Sequence, residues 1–253
     1  MSGSLTVVGL GPGDAALLTE SARRALDAAE DVVGYFPYVA RVPERPGIVR
    51  HASDNRVEVD RARHALQLAA SGRRVAVVSG GDPGVFAMAA AVFEAVEYGE
   101  PGWRDLAITV EPGITAMLAA AARLGAPLGG DFCALSLSDN LKPWPVVTAR
   151  LEAVLRADFV VALYNPISTA RPWQLGAALE IAAGIRAPET PVMFARAVSR
   201  PDEAIRVATL AEAPAVPADM ATMVILGAST TRLIPRAGRA PFVYTARKVE
   251  GSV

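Results

Sequence analysis

Short runs of β-branched and apolar residues alternate with longer alanine- and leucine-rich segments, and this alternation limits the possible folds more than any other feature. The runs at 5–9, 31–34, 74–79 and 106–110 predict strands, and the segments at 15–29, 57–71, 85–96 and 114–124 predict helices. Strands that alternate with helices of this length form βαβ units, because a parallel connection needs a crossover. The first half is therefore predicted to hold a mostly parallel sheet covered by helices.

The second half has a different pattern after a glycine- and proline-containing stretch at 125–131, which is the best candidate linker. Strands are predicted at 132–137, 159–164 and 191–195, with helices at 146–157 and 173–185. Later β-like runs at 204–210, 223–226 and 242–245 lack helices long enough for crossovers, so this sheet is expected to be mixed. The predicted fold is α/β, with two domains, 1–127 and 128–253, and a cleft between them.

Composition excludes several classes of protein. Hydrophobic residues make up 52% of the 253 residues and charged residues 20%, unlike a disordered chain. The formal net charge of −1 gives no basic excess, so no nucleic-acid partner is expected. No stretch has the length and apolarity of a membrane span, and the single cysteine, Cys133, fits a reducing, cytoplasmic compartment. Two histidines and one cysteine give no zinc site, so no metal is expected.

Three glycine-bearing turns follow predicted strands of the first half. They are Gly9-Leu10-Gly11-Pro12-Gly13-Asp14, Ser79-Gly80-Gly81-Asp82-Pro83-Gly84 and Glu111-Pro112-Gly113-Ile114-Thr115-Ala116. The first turn does not fit a dinucleotide-binding loop, because its glycine spacing is G-x-G-x-G and Pro12 removes a backbone donor. Asp82 before a proline suits a helix start, but the flanking glycines favour backbone that a ligand approaches closely. Three such turns at strand ends predict one shared site.

Two further loops carry polar residues after apolar strands. They are Ser136–Trp144, which contains Ser138, Asp139, Asn140 and Lys142, and Leu163–Arg171, which contains Tyr164 and Asn165. Such residues are typical of turns and caps, and the same side chains can line a pocket, so both interpretations remain. His51 and His64 have no evident partners and are interpreted as surface or packing residues.

These motifs, in this order, resemble those of the tetrapyrrole (corrin/porphyrin) methyltransferase family, the class III fold that binds S-adenosylmethionine (SAM). That family carries a V-G-x-G-P-G-D loop, a G-D-P loop and a P-G-x-[ST]-[AS] turn, and all three occur here. Two segments depart from the family pattern. Thr245-Ala246-Arg247-Lys248 stands in place of a Thr-Pro-Arg-Gly-Tyr-like segment, and Arg196-Ala197-Val198-Ser199 in place of an Arg-Asn-Ala-Gly-like one. The resemblance covers nearly the whole chain.

The resemblance implies a SAM-dependent C-methyltransferase that acts on a corrin precursor in cobalamin biosynthesis and releases S-adenosyl-L-homocysteine (SAH). Members of the family bind SAM in the cleft between their two domains and are typically homodimers. The positions that match the family's cofactor-binding residues are Pro12, Gly80, Gly81, Asp82, Val85, Thr115, Ala116, Tyr164, Asn165, Val198, Thr245 and Ala246.

The implied substrate is a flat macrocycle with many carboxylates, which arginine binds well because its guanidinium makes paired hydrogen bonds. The expected substrate-binding residues are Tyr35, Tyr38, Arg41, Arg45, Ser138, Lys142, Arg171 and Arg200. Methyl transfer to carbon requires alignment more than a base. The resemblance also implies a ring contraction in which a hydroxyl loses its proton, and the candidate catalytic bases are Asp82, Asp139 and His51.

Three alternatives remain open at this point. The first is a sister enzyme of the same family with another acceptor, such as a different corrin carbon or a cobalt-containing corrin. The second is an NAD-dependent oxidoreductase, whose glycine spacing is absent here. The third is a non-catalytic tetrapyrrole-binding module, which would bind the macrocycle without binding SAM.

Overall fold

A five-stranded parallel sheet occupies the first half of the chain, as the alternating pattern predicts. The structure is a computed structural model that describes residues 3–54 and 57–248. The strands of this sheet are β1 (Ser4–Gly9), β2 (Asp31–Tyr35), β3 (Val49–Ser53), β4 (Arg74–Ser79) and β5 (Ala107–Glu111). Their order is β3-β2-β4-β1-β5, so the three strands that precede the glycine turns are neighbours.

Helices cover both faces of this sheet, because alternate strand residues point to opposite sides. The helices are α1 (Glu20–Ala28), α2 (Phe36–Val39), α3 (Glu58–Ala70) and α4 (Met88–Tyr98), with 3₁₀ turns at Ala15–Leu17 and Pro101–Asp105. Val75 and Val77 pack with α3 and α4 on one face, whereas Ala76 and Val78 pack with α1 on the other. Thr19 caps α1 by accepting a hydrogen bond from the backbone N–H of Ala22.

The chain divides into two compact units, Met1–Ala116 and Met117–Val253. The division predicted from sequence lies later, after residue 127. The helix α5 (Ala116–Leu124) belongs almost entirely to the second unit. The stretch predicted to be a linker begins with the short strand β6 (Gly125–Ala126), which pairs with a strand near residue 243. The predicted linker thus begins with two residues whose backbone takes part in a sheet.

The second unit contains a mixed five-stranded sheet and a smaller three-stranded one. Its remaining elements are β7 (Phe132–Ser136), α6 (Trp144–Arg156), β8 (Val160–Tyr164), α7 (Gln174–Ala183), β9 (Pro191–Arg196), β10 (Ala204–Thr209), a 3₁₀ turn (Ala213–Ala215), β11 (Thr222–Leu226), β12 (Thr231–Arg236) and β13 (Arg239–Thr245). The order of the larger sheet is β10-β9-β11-β8-β7, and only β7 and β8 pair in parallel. The smaller sheet has the order β12-β13-β6. The mixed character predicted for this half is confirmed.

A buried carboxylate joins three parts of the first unit. Asp31, which is 2% exposed, accepts hydrogen bonds from Arg73 Nε at 2.6 Å and from His51 Nε2 at 2.8 Å. His51 Nδ1 lies 3.0 Å from Nε2 of His64 on α3. These partners were not evident from sequence, because strand pairing and α3 bring together residues that are far apart in the chain.

The charges around Asp31 set the protonation of this network. Burial opposes the ionisation of Asp31, but the hydrogen bonds from Arg73 and His51 outweigh it and hold the pKa of Asp31 below its ordinary value of 3.8. Burial lowers the pKa of His64, and the charge of His51 lowers it further. The ionised form of Asp31 is therefore the one that stabilises the folded chain.

Replacing the carboxylate tests this account. Asp31→Asn is expected to lower the free energy of unfolding by about 3 kcal/mol at pH 7, because Arg73 loses its buried anion. The folded-state pKa of Asp31 is lowered, so its stabilisation is present above the unfolded-state pKa and is lost as the pH falls through the folded-state value. Urea unfolding should therefore show a difference from the wild type that shrinks below about pH 4. The control is Asp105→Asn at an exposed position, and an equal deficit at every pH would contradict the prediction.

Candidate functional site

The three glycine turns lie together at the carboxyl ends of β4, β1 and β5. Gly11 and Gly81 exchange two backbone hydrogen bonds, with N–H to carbonyl distances of 3.1 and 2.9 Å. Both residues have left-handed backbone, with φ of 65° and 67°, which glycine adopts without strain. The first two turns are thus joined directly, at the sheet edge where α/β proteins bind ligands.

The glycines of the first and third turns are required by packing between backbones. A Cβ atom on Gly9 would lie 2.6 Å from the backbone nitrogen of Gly113, and one on Gly113 would lie 2.2 Å from the carbonyl oxygen of Gly81. A Cβ atom on Gly80 would lie 2.7 Å from the ring of Tyr38. These glycines therefore allow the turns to pack on one another and on Tyr38, a role that the turn motifs alone do not reveal.

Asp82 links the second turn to the third. Its Oδ1 accepts a hydrogen bond from the N–H of Gly84 at 2.8 Å, and its Oδ2 accepts one from the N–H of Gly113 at 3.0 Å. The helix predicted to start at residue 85 begins only at Met88, after Phe86 with a φ of 51°. Both carboxylate oxygens thus hold backbone amides, which is the arrangement of a structural link between loops.

The other cofactor candidates of the first unit surround these turns. Pro12 is buried in the first turn, and Val85 is half-buried in the second. Thr115 is 6% exposed, and its Oγ1 would lie 3.8 Å from a Cβ atom on Gly81. Ala116 follows as the first residue of α5. Thr115 therefore places a side-chain hydroxyl next to Gly81.

Two predicted substrate arginines hold carbonyl groups of the chain. Nη2 of Arg41 donates to the carbonyls of Leu10 and Gly11 at 2.5 and 3.1 Å. Nη2 of Arg45 donates to the carbonyls of Leu26, at 2.9 Å, and Ala29 at the end of α1. These contacts cap α1 and support the first turn. The rings of Tyr35 and Tyr38 meet edge to face, with centroids 5.6 Å apart.

The parallel strands β7 and β8 of the second unit also end in polar loops. Asn165 has a φ of 52°, and its Nδ2 donates to Ser136 Oγ at 2.9 Å. Ser136 Oγ also accepts from the N–H of Ser138 at 3.3 Å. The hydroxyl of Tyr164 accepts from the N–H of Met117 at 3.3 Å, near the start of α5. The loops after β7 and β8 are thus joined to each other by side chains.

Further along the same loops lie three predicted residues with ionisable side chains. Asp139 accepts hydrogen bonds from Nε2 of Gln174, whose distances to its two oxygens are 3.3 and 3.4 Å. Burial lowers the pKa of Lys142, and the charge of Arg150 lowers it further. Nη1 of Arg171 is buried and has no hydrogen-bond partner among the described residues. Gln174 is a residue that the motifs did not identify.

The remaining candidates of the second unit lie after β9 and β13. Val198 is buried between Ala197 and Ser199, whose φ values are 48° and 64°. The family pattern has Asn and Gly at these two flanking positions, which tolerate left-handed backbone better than Ala and Ser. Arg200 is exposed.

The residues after β13 are held within the second unit. Thr245 Oγ1 bonds Thr231 Oγ1 at 2.8 Å and the carbonyl of Pro127 at 2.5 Å. The N–H of Ala246 donates to the carbonyl of Thr230 at 3.1 Å. The Thr245 hydroxyl is therefore engaged in holding β12, β13 and the turn at Pro127.

His51 is not among the loop residues. It lies in the middle of β3, opposite Val33, and contacts Asp31 and His64. Of the three candidate bases, Asp82 and His51 are thus part of hydrogen-bond networks within the first unit, and Asp139 lies in the second unit.

In residues 3–54 and 57–248 there is no group of three or more His, Cys, Asp or Glu side chains arranged to hold a metal ion. The helices described in those ranges are all too short or too polar to cross a membrane.

Comparisons with known proteins agree with one another. A family model described as Tetrapyrrole (Corrin/Porphyrin) Methylases matches residues 4–214. The chain is 56% identical to a precorrin-3B C(17)-methyltransferase of Sinorhizobium sp over 252 residues, which cover 100% of this chain and 99% of that protein. It is similar to the crystal structure of the methyltransferase CobJ, with a TM-score of 0.90, 52% identity and coverage of 97% of this chain and 100% of that chain. It is also similar to a uroporphyrin-III C-methyl transferase from Thermus thermophilus complexed with S-adenyl homocysteine, with a TM-score of 0.68, 27% identity and coverage of 89% and 97%.

The packing of the turns predicts a large effect of one methyl group. Gly113→Ala is expected to lower the free energy of unfolding by about 2 kcal/mol, because the new Cβ would overlap the carbonyl oxygen of Gly81. Gly102→Ala is the matched control, since nothing lies within 4 Å of a Cβ at that position. Urea denaturation measures both variants. If Gly113→Ala were as stable as Gly102→Ala, the turns would not be in the contact described.

Proposed function

We propose that this chain transfers a methyl group from SAM to carbon 17 of precorrin-3B, because it belongs to the tetrapyrrole (corrin/porphyrin) methylase family. The reaction includes contraction of the macrocycle to precorrin-4 and is a step of cobalamin biosynthesis. The observation that carries the proposal is the similarity to precorrin-3B C(17)-methyltransferase along the whole of both chains. A cobalt-containing corrin is the alternative substrate, because the same carbon and the same carboxylates are present in it.

The joined glycine turns fit the requirements of SAM. The amino and carboxylate groups of its methionine part need backbone carbonyls and N–H groups, which glycine turns leave accessible. In the first unit, the residues proposed to hold it are Pro12, Gly80, Gly81, Asp82, Val85, Thr115 and Ala116. Those proposed from the second unit are Tyr164, Asn165, Val198, Thr245 and Ala246. When bound, SAM supplies the methyl group and leaves as SAH.

The chain's own contribution to methyl transfer is alignment. Carbon acceptors in an electron-rich macrocycle need no strong base, so holding both reactants at the correct distance accounts for most of the acceleration. Tyr35 and Tyr38 are proposed to wall the flat ring. Their rings are already fixed edge to face, and Tyr38 packs against Gly80.

Carboxylates of the macrocycle are proposed to bind cationic and polar side chains, namely Arg41, Arg45, Ser138, Lys142, Arg171 and Arg200. Arg171 is the strongest member of this set, because its buried Nη1 has no hydrogen-bond partner among the described residues and requires an acceptor. Lys142 also favours an anion, since burial and Arg150 both disfavour its charge in the unliganded chain. Arg41 and Arg45 already hold carbonyl groups, so a carboxylate would share or replace those contacts.

A homodimer in the cytoplasm is part of the same proposal. The outer face of the β12–β13 pair exposes Ile234, Phe242 and Tyr244, which strand pairing places on one side. An exposed apolar face of this kind is typical of a protein interface. The single cysteine, Cys133, leaves no internal disulfide and agrees with a reducing compartment.

Two substitutions should separate cofactor binding from substrate binding. Calorimetric titration with SAH is expected to show binding to the wild type, and Thr115→Val should weaken it about tenfold through loss of one hydroxyl hydrogen bond. Arg171→Gln should leave SAH binding unchanged and weaken binding of precorrin-3B about tenfold or more, because a charge-assisted bond to a carboxylate is lost. The matched controls are Thr109→Val and Arg156→Gln, both at exposed positions. A wild type that binds no SAH would contradict the proposed function, and equal loss of both ligands in either variant would contradict the assignment of that residue.

A substitution on the exposed apolar face of the β12–β13 pair tests the proposed dimer. Sedimentation velocity of the wild type should give the mass of two chains, and Ile234→Glu should give the mass of one, because a buried charge at the interface is unfavourable. Tyr98→Glu on α4 is the control, since Tyr98 is highly exposed on another element. A monomeric wild type, or a dimer that Ile234→Glu leaves intact, would contradict this placement of the interface.

A further inference from the structure

The loops that follow β7 and β8 form a single polar structure in the second unit. We name them the β7 loop, residues 137–143, and the β8 loop, residues 165–173. They are tied where they begin by the hydrogen bond from Asn165 to Ser136. They are tied again where they end, since the rings of Trp144 and Trp173 meet edge to face with centroids 4.9 Å apart. The two loops are thus joined at both ends.

Gln174 makes a third tie, and this one holds an ionisable side chain. It is the first residue of α7 and is 1% exposed, and its Nε2 lies 3.3 and 3.4 Å from the two oxygens of Asp139. Asp139 itself is only half-buried. The buried amide therefore fixes the direction of a carboxylate that still reaches the surface of the loop.

The oxygen of the Gln174 amide is unsatisfied. Oε1 is buried and has no hydrogen-bond partner among the described residues. Turning the amide over would place this oxygen against the carboxylate of Asp139, so the contact with Asp139 decides which way the amide points. Leaving a buried carbonyl without a donor is unfavourable, so the orientation of this amide requires a specific contact to hold it.

The two other candidate bases are held differently. Both oxygens of Asp82 accept backbone N–H groups at 2.8 and 3.0 Å, within the glycine turns. His51 is held between Asp31 and His64 in the first unit. Asp139 differs from Asp82 in that its hydrogen bonds among the described residues come from one side-chain amide, at longer distances. Of the three candidate bases, Asp139 is therefore the one best placed to accept a proton from a ligand.

We propose that Gln174 is a positioning residue that holds the carboxylate of Asp139 as the proton acceptor for a hydroxyl of the tetrapyrrole. In this step the O–H bond of the substrate breaks, the proton bonds to a carboxylate oxygen of Asp139, and the electron pair stays on the substrate oxygen. The inference rests on the proposed function, because the ring contraction is the step that requires this proton transfer.

The test compares two steps of one reaction. Methyl transfer is followed with radiolabelled SAM, and contraction is followed by the absorbance spectrum of the macrocycle. Gln174→Met keeps the length of the side chain but cannot hold the carboxylate. It is expected to lower the rate constant of contraction about 10- to 100-fold, with the KM for precorrin-3B and the affinity for SAH within about threefold of wild type. Gln67→Met is the matched control, since Gln67 is exposed on α3.

A double-mutant cycle separates positioning from a general structural effect. Asp139→Asn should lower the contraction rate at least as much as Gln174→Met, and the double variant should be no slower than Asp139→Asn, because Gln174 acts through Asp139. Losses that multiply in the double variant, or contraction at the wild-type rate in Gln174→Met, would overturn the inference. If Gln174→Met fails to fold, Gln174→Glu takes its place. Contraction should then require a higher pH than in the wild type, since repulsion between two adjacent carboxylates disfavours the ionised form that accepts the proton, and a pH dependence equal to that of the wild type would overturn the inference.

The wild type separates failure of the role of Gln174 from failure of the proposed function. If the wild type methylates precorrin-3B and contracts it, but the variants behave as the control does, only the role of Gln174 fails. If the wild type binds SAH but methylates no tetrapyrrole, the proposed function fails and the inference fails with it.

Discussion

The backbone hydrogen bonds between Gly11 and Gly81 are the contact on which the carboxyl-end loops of the first unit depend. They form only because β1 and β4 are neighbours in a parallel sheet and end at the same edge. The third turn then packs against both, at distances that exclude a Cβ atom on Gly9 or Gly113. Asp82 completes the arrangement by accepting an N–H from Gly113. The turn motif is therefore first a packing requirement, because its glycines hold the three loops at distances that no Cβ atom allows.

Elements with a strong hydrophobic pattern were predictable from sequence, whereas three edge strands that lack such a pattern were not. The central strand β4, Arg74–Ser79, is buried on both faces and was predicted with its observed bounds. The strands that the pattern missed are β3, β6 and β12, and each lies at the edge of its sheet. An edge strand is defined largely by hydrogen bonds to one neighbour, so its own residues need not alternate between apolar and polar. Pro235 within β12 illustrates this, since proline is tolerated on an edge.

Candidate residues could be found from motifs, whereas their partners could not. Asp82 and Asp139 were identified because they follow predicted strands. Their partners are 31 residues away for Asp82 and Gly113 and 35 for Asp139 and Gln174. Such pairs are brought together by the order of strands and the start of a distant helix, and no local pattern encodes that. Gln174 in particular is one buried amide at a helix start, which leaves no signature in the sequence around it.

The two units offer different chemistry to a ligand, and this difference explains the distribution of residues along the chain. In the first unit the loops join through backbone, and the guanidinium groups of Arg41 and Arg45 are already bound to carbonyls. Backbone groups suit a ligand with amino, carboxylate and adenine edges, which need one donor or acceptor each. In the second unit the loops present the side chains of Asp139, Lys142 and Arg171 instead. Side chains of both charges suit a substrate with several carboxylates and a proton to lose, because each group is placed separately. The two kinds of surface correspond to the two ligands of the proposed reaction, with glycine turns in the first half of the sequence and polar loops in the second.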